Sequence, residues 1–328
     1  MDQYSNVQGI LEAARRELAK RIIGQEDMIN GLLMALIAGG HVLLEGVPGL
    51  AKTRAVKALA ELTGLGFKRI QFTPDLLPAD LTGTLIWDQG RSVFSVRKGP
   101  LFANLVLADE INRAPAKVQS ALLEAMEEYQ VTIGEETYPL PNPFFVLATQ
   151  NPIDHEGTYS LPEAELDRFL LKLLITYPNP EEEVAILNLD PQGGRGGKHE
   201  DSMNFHLDYS MIEALRRQAH AVRCDEQIQK YIVQVVTATR PNEDSRKSHD
   251  DLYRYISFGA SPRASLALYR CSKIIALFEG RSFVTPEDIK AAALPVLRHR
   301  IVLSYEAEAD GLDSDDVISR ILAFIPVP

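Results

Sequence analysis

Gly46-Val47-Pro48-Gly49-Leu50-Ala51-Lys52-Thr53 has the residue types and spacing of a loop that wraps phosphate groups. Backbone N–H groups of such a turn, with the helix N-terminus behind it, present partial positive charge to an anion. Lys52 would reach the β- and γ-phosphates of a nucleoside triphosphate, and the Thr53 hydroxyl would coordinate Mg2+. Ala51 replaces the second glycine of the general pattern, and its methyl group fits where the local φ is negative. Taken alone, the loop also reads as an ordinary strand-to-helix turn with a solvated lysine.

Further polar residues stand where apolar runs end. Leu105-Val106-Leu107-Ala108 leads into Asp109 and Glu110. Nucleotide hydrolysis needs one acid to hold Mg2+ through water and a second to polarise the attacking water, which suits Asp109 and Glu110 in that order. Two exposed acids opening a turn are the plain alternative. A phosphate loop in the same domain argues against it, because ligands gather at the carboxyl ends of parallel strands. Asn151 follows the apolar run 144–149; it hydrogen-bonds the γ-phosphate, orients the water, or merely turns the chain before Pro152. Arg168 lies between a short helix and a last apolar run. Its planar, permanently charged fork suits either a transferring phosphoryl group or an ion pair with Asp167 or Glu165. Arg263 falls in the first turn of a helix, where a cation is mildly unfavourable unless an anion compensates.

Positioning these groups requires alternating strands and helices. Helical periodicity covers residues 7–21, with Ile10, Leu11, Ala14 and Leu18 on one face, and a second helix covers 26–38, ended by Gly39-Gly40. Strands are expected at 42–44, 67–72, 105–108, 144–149 and 169–175, and their near-continuous apolarity suits a parallel sheet covered on both faces. The expected fold is therefore a doubly wound α/β domain over 1–177. Pro178-Asn179-Pro180 then marks a boundary. Only helical patterns follow, at 181–190, 208–222, 225–240, 261–278 and 286–303, so 178–328 reads as a small all-helical domain. Residues 191–198 read as a flexible, glycine-rich loop.

Bulk properties set limits. The chain has 328 residues, 45% hydrophobic and 24% charged, which suits two globular domains. A formal charge of −11 argues against a nucleic-acid partner. Cys224 and Cys271 form no C-x-x-C pair and read as buried free thiols in a reducing compartment. The N-terminus lacks the pattern of a signal peptide, and the apolar run 29–38 is too short to span a bilayer, so a cytoplasmic protein without membrane insertion is expected. The seven histidines show no metal-ligand spacing.

The joint pattern resembles the AAA+ ATPases and, within them, the MoxR family. The motifs that carry the resemblance run in order along nearly the whole chain. They are Ile22-Ile23-Gly24-Gln25, the loop 46–53 with alanine at 51, the acidic strand with Glu110-Ile111-Asn112-Arg113-Ala114-Pro115, Ala148-Thr149-Gln150-Asn151-Pro152, Leu166-Asp167-Arg168-Phe169, and Ser261-Pro262-Arg263.

The resemblance implies ATP and Mg2+ as cofactors and assigns roles. Ile23 and Gln25 would line the adenine pocket. Gly46, Val47, Pro48, Gly49, Leu50, Ala51, Lys52 and Thr53 would hold the phosphates, with Arg54 beside them. Thr53 and Asp109 would hold the metal, and Glu110 would be the catalytic acid/base. Asn151 would be sensor 1, Arg168 an arginine finger acting on a neighbouring subunit, and Arg263 sensor 2, in cis or in trans. Arg113 either touches a neighbouring subunit or pairs with the helix of Glu110. An insert over 75–102 would carry Trp87 and Phe94 on a hairpin, and 130–138 would form a second hairpin with its turn at Gly134-Glu135. Each hairpin either projects toward a pore or partner or is simply solvated.

A homo-oligomeric ring, normally hexameric, is implied, with a chaperone-like role on a client protein, often in metal-cofactor insertion. A separate von Willebrand factor A domain protein is the implied companion. The ATPase subunit of a magnesium-chelatase-like complex and a nucleotide-dependent scaffold without turnover are the alternatives, the latter opposed by intact Lys52, Asp109, Glu110 and Arg168.

Overall fold

The structure, a computed structural model, describes residues 3–47, 52–90, 92–151, 159, 161–189, 203–241 and 251–328. Pro48, Gly49, Leu50 and Ala51, and the glycine-rich stretch 191–198, lie outside the described residues.

Five strands form the central sheet: β1 (His41–Glu45), β2 (Phe67–Gln71), β5 (Leu105–Asp109), β8 (Phe145–Gln150) and β9 (Phe169–Leu174). Their spatial order is β2-β5-β8-β1-β9. Every register resolved in the sheet is parallel; Leu147, for example, lies between Val42 of β1 and Leu107 of β5. Helices Glu26–Ala38, Lys52–Thr63 and Ala116–Glu128 alternate with these strands. This is the doubly wound arrangement expected, since a parallel pair needs a crossover connection and usually a helix. The first of these helices ends at Gly39, which takes the left-handed conformation (φ 67°) that favours glycine.

Burial along the strands explains where a site can form. β1, β5 and β8 are buried residue after residue until the last one, and that last residue is Glu45, Asp109 or Gln150. Apolar side chains lock the strands into the core, and the polar ends emerge together at one edge.

Two hairpins leave this framework, as expected. Strands β3 (Gly83–Asp88) and β4 (Val93–Lys98) set Trp87 opposite Phe94, with ring centroids 5.0 Å apart. Strands β6 (Gln130–Ile133) and β7 (Glu136–Pro139) turn at Gly134, with φ 67°. A side chain at Gly134 would come within 2.7 Å of Leu85, so glycine there lets the two hairpins touch. Lys98 Nζ also lies 4.7 Å from the Phe102 ring and 5.3 Å from that of Tyr138.

By its contacts the chain divides into two compact units, one of residues 10–161 and 173–211, the other of 1–9, 162–172 and 212–328. The second holds the helices Glu226–Ala238, Pro262–Phe278 and Pro286–Leu297 and all of Tyr209–Ala221 but its first three residues. It departs from the purely helical expectation in one detail. The helix expected over 286–303 stops at Leu297, and β11 (Val302–Leu303) pairs with β10 (Ile256–Phe258) in an antiparallel ribbon. Past this end, Arg298, His299 and Arg300 turn their side chains onto the carbonyls of Lys172, Phe169 and Leu170. Two further helices follow, Tyr305–Ala309 and Ser314–Phe324, capped by the side chains of Ser304 and Asp313.

Cys271 is buried, as expected, and burial pushes its thiol up to about 12; Cys224 is only half-buried. Among the described residues, no helix is long and apolar enough to cross a membrane, and no group of three or more His, Cys, Asp and Glu side chains is arranged to hold a metal ion.

Candidate functional site

The turn after β1 is built by close backbone packing. Glu45 O accepts a hydrogen bond from Ile175 N at 2.7 Å, and Gly46 N donates to Gln150 O at 3.4 Å. A Cβ at Gly46 would stand 2.7 Å from the Ile175 carbonyl oxygen, so only glycine permits this approach. Lys52 opens the next helix and folds its ammonium back over the turn, donating to Gly46 O and, at 3.3 Å, to Gln150 O. Burial pulls the Lys52 pKa below its ordinary value, while the negative charges of Asp109, Glu110 and Glu45 oppose that shift. A half-buried ammonium held by neutral carbonyls, within the field of three carboxylates, has the chemistry to receive a polyphosphate.

At the end of β5 both acids are held from several sides. Asp109 Oδ1 accepts from Thr149 Oγ1 at 2.7 Å. Asp109 Oδ2 accepts from Arg69 Nη2 at 2.6 Å and Nε at 3.1 Å. The Glu110 backbone is left-handed (φ 57°, ψ 51°), rare for a residue with a side chain, and its N–H donates to Thr149 Oγ1 at 2.8 Å. Its carboxylate Oε2 accepts from Gln71 Nε2 at 3.0 Å and Arg113 Nη1 at 2.9 Å. Arg113, left open between a neighbouring subunit and its own, thus pairs with Glu110 itself.

Arg69, Gln71 and Thr149 were not singled out from the sequence. Their signal was available: Arg69 and Gln71 share one face of β2, which lies beside β5 with Gln71 opposite Asp109. Thr149 is the hydroxyl residue just before the strand end at Gln150.

The remaining expected residues divide between the two units. Gln25 Nε2 donates to the Thr176 carbonyl at 3.0 Å, and Ile23, Val47, Thr53 and Asn151 are half-buried, with Arg54 exposed. The backbone carbonyl of Asn151 accepts from the buried Asn112 at 3.4 Å. Together with Gly46, Lys52, Asp109 and Glu110, all of these lie in the unit of residues 10–161 and 173–211.

Arg168 and Arg263 belong to the other unit, where Asp167 is the partner of Arg263. Its carboxylate accepts from Arg300 Nε at 2.7 Å and Ser261 Oγ at 2.8 Å, with Arg263 Nη1 at 3.9 Å. Asp167 is therefore the anion beside Arg263 in the first turn of its helix. Arg300 is buried and donates to four backbone carbonyls besides, those of Val296, Phe169, Leu170 and Asp167.

The donor chemistry fits a magnesium-bound nucleotide. Carboxylate and hydroxyl oxygens are the hard ligands Mg2+ takes, usually one or two from protein with the rest from water and phosphate.

Comparison with known proteins gives this geometry a family. Residues 41–171 match the ATPase family associated with various cellular activities, and 253–321 match the AAA lid domain. Chaperone MoxR1 of Mycobacterium tuberculosis is 48% identical over 318 residues, covering 97% of this chain and 82% of that protein. Protein MoxR of Methylorubrum extorquens is 32% identical over 325 residues, covering 95% and 94%. A crystal structure from Cytophaga hutchinsonii, of a protein for which ATPase is only a suggested name, superimposes with a TM-score of 0.89 at 45% identity, covering 99% of this chain and 97% of that one. With the acids, the lysine and the glycine turn at one sheet edge and full-length similarity to proteins named MoxR, the chain belongs to the MoxR family of AAA+ ATPases.

Proposed function

We propose that this chain binds ATP with Mg2+ at the carboxyl ends of β1, β5 and β8 and hydrolyses it to ADP and phosphate. Residues 1–177 serve as the nucleotide domain and 178–328 as the lid. The observation that carries the reading is the lysine of the glycine turn, which among the described residues donates to two neutral carbonyls and feels the charges of Asp109 and Glu110. Gly46 to Thr53 receive the phosphates, with Arg54 alongside, and Ile23 and Gln25 hold the adenine. Thr53 and Asp109 hold the metal, which when bound supplies charge neutralisation at the phosphates. Glu110 takes a proton from the attacking water, its carboxylate aimed by Gln71 and Arg113. Asn151 orients that water or the γ-phosphate.

Arg168 acts on the site of a neighbouring subunit and Arg263 senses nucleotide, which makes the working form a homo-oligomeric ring, six-membered as is usual in the superfamily. The relative named Chaperone MoxR1 supports a chaperone-like role. The cycle remodels a client protein in the cytoplasm, metal-cofactor insertion being one such maturation, beside a separate partner carrying a von Willebrand factor A domain.

Glu110→Gln tests the chemical step. It is expected to keep ATP binding and lose turnover by at least about a hundredfold, in the range that general acid–base groups contribute. Unchanged turnover would refute the role of Glu110.

A further inference from the structure

Every described hydrogen bond to the second oxygen of Asp109 comes from one cation. Arg69 places both Nη2 and Nε on Oδ2, at 2.6 and 3.1 Å, while Thr149 serves Oδ1. Two N–H donors on one carboxylate oxygen form a charge-assisted contact stronger than a neutral hydrogen bond. The same Nη2 donates to Gln71 Oε1 at 2.8 Å, and the Gln71 amide passes the contact to Glu110 at 3.0 Å. One guanidinium thus touches Asp109 directly and Glu110 through one amide.

This placement follows from the sheet. Arg69 and Gln71 are two apart on β2, the edge strand in the order β2-β5-β8-β1-β9, so both side chains emerge on one face. Gln71 lies opposite Asp109 in the parallel register. Asp109 keeps 14% side-chain exposure and Arg69 keeps 47%, so the arginine reaches inward from solvent and has solvent to return to.

We propose that Arg69 is the resident counter-ion of Asp109: it balances the carboxylate when no metal is bound and competes with the hydrated divalent cation for it. Guanidinium and metal ion carry the same sign of charge and want the same oxygen, so one must yield. Arg69 thereby sets how much magnesium the protein needs to hold nucleotide. Its departure also releases Gln71 Oε1, which links metal entry to the hydrogen bonding of Glu110. The inference rests on Asp109 being a metal-holding residue.

The test is calorimetric titration of ADP binding by the full chain at a series of Mg2+ concentrations, with no turnover involved. Arg69→Gln keeps an amide donor but no charge. It is expected to lower the half-saturating Mg2+ concentration by about two- to fivefold, the range of a partly exposed ion pair. Arg69→Lys, which keeps the charge, is expected to return it toward the wild-type value. An unchanged or raised magnesium requirement in Arg69→Gln would overturn the proposal, since a residue that merely positions Asp109 gives a rise. Failure of Arg69→Lys to reverse the effect would overturn the charge argument. Asp109→Asn separates the two layers. If it raises the magnesium requirement while Arg69→Gln does nothing, only the counter-ion role fails; if it changes nothing, the assignment of Asp109 to the metal fails with it.

Discussion

Asp167 sits one residue before the proposed arginine finger, and its removal has a calculable consequence. Arg300 is 3% exposed and receives its only described anionic contact from Asp167 Oδ1 at 2.7 Å. Burial lowers the Arg300 pKa, and the hydrogen bond and charge of Asp167 hold it up. In Asp167→Ala the guanidinium keeps its carbonyl partners but loses its counter-charge in a place it cannot leave. Breaking a buried pair from one side costs about 3–5 kcal/mol. The lost acceptor for Ser261 Oγ adds on the order of 1 kcal/mol. Replacing both partners, as in Asp167→Ala with Arg300→Met, removes the stranded charge and is expected to cost clearly less than the sum of the two single changes, although Arg300→Met also strips four carbonyls of a donor. Urea denaturation followed by circular dichroism measures all four proteins of the cycle. An Asp167→Ala variant within about 1 kcal/mol of wild type, or a double variant that costs the sum of the singles, would refute the reasoning.

Two other outcomes follow from the geometry. His41 is buried, with Nδ1 accepting from Val146 N at 3.1 Å and Nε2 facing Met126 O at 3.1 Å, and burial lowers its pKa to about 4. The unfolded chain therefore binds a proton between about pH 6.5 and 4 that the native one does not. His41 alone should remove about 2 kcal/mol of stability at pH 5 and about 3 kcal/mol at pH 4. Urea midpoints at pH 7.5 and 5 check this, and His41→Gln should flatten the difference by that share. Arg168→Ala should abolish turnover, and mixing it with Lys52→Ala should restore part of it if the finger works across subunits; no recovery at any mixing ratio would count against the trans arrangement.

Much of this fold can be read from the chain because its signals are local. Leu105 to Ala108 is apolar and Asp109 is not, so both the strand and its functional end are visible in five residues. The alternation around Gly134 marks the second hairpin in the same way. What escaped is non-local. Arg69 and Asp109 are separated by 40 positions, and only the pairing of β2 with β5 brings them together. Likewise, Val302 and Leu303 continue a helical apolar pattern. Their strand character lies in the pairing with Ile256 and Phe258, more than 40 positions away, a tertiary contact that overrides local periodicity. The last two helices are legible in principle: Ser304 and Asp313 are caps, and Val317, Ile318 and Ile321 mark one face of the second, while the five-residue first one is too short to show a period.

The central claim is tested most directly by equilibrium binding of ATP to the purified Glu110→Gln protein, with Mg2+ and with EDTA, beside the same protein carrying Lys52→Ala. Saturable binding that strengthens with Mg2+ and is lost with Lys52→Ala is the predicted result. No retained adenine nucleotide at any attainable concentration, or binding indifferent to Lys52, would contradict it.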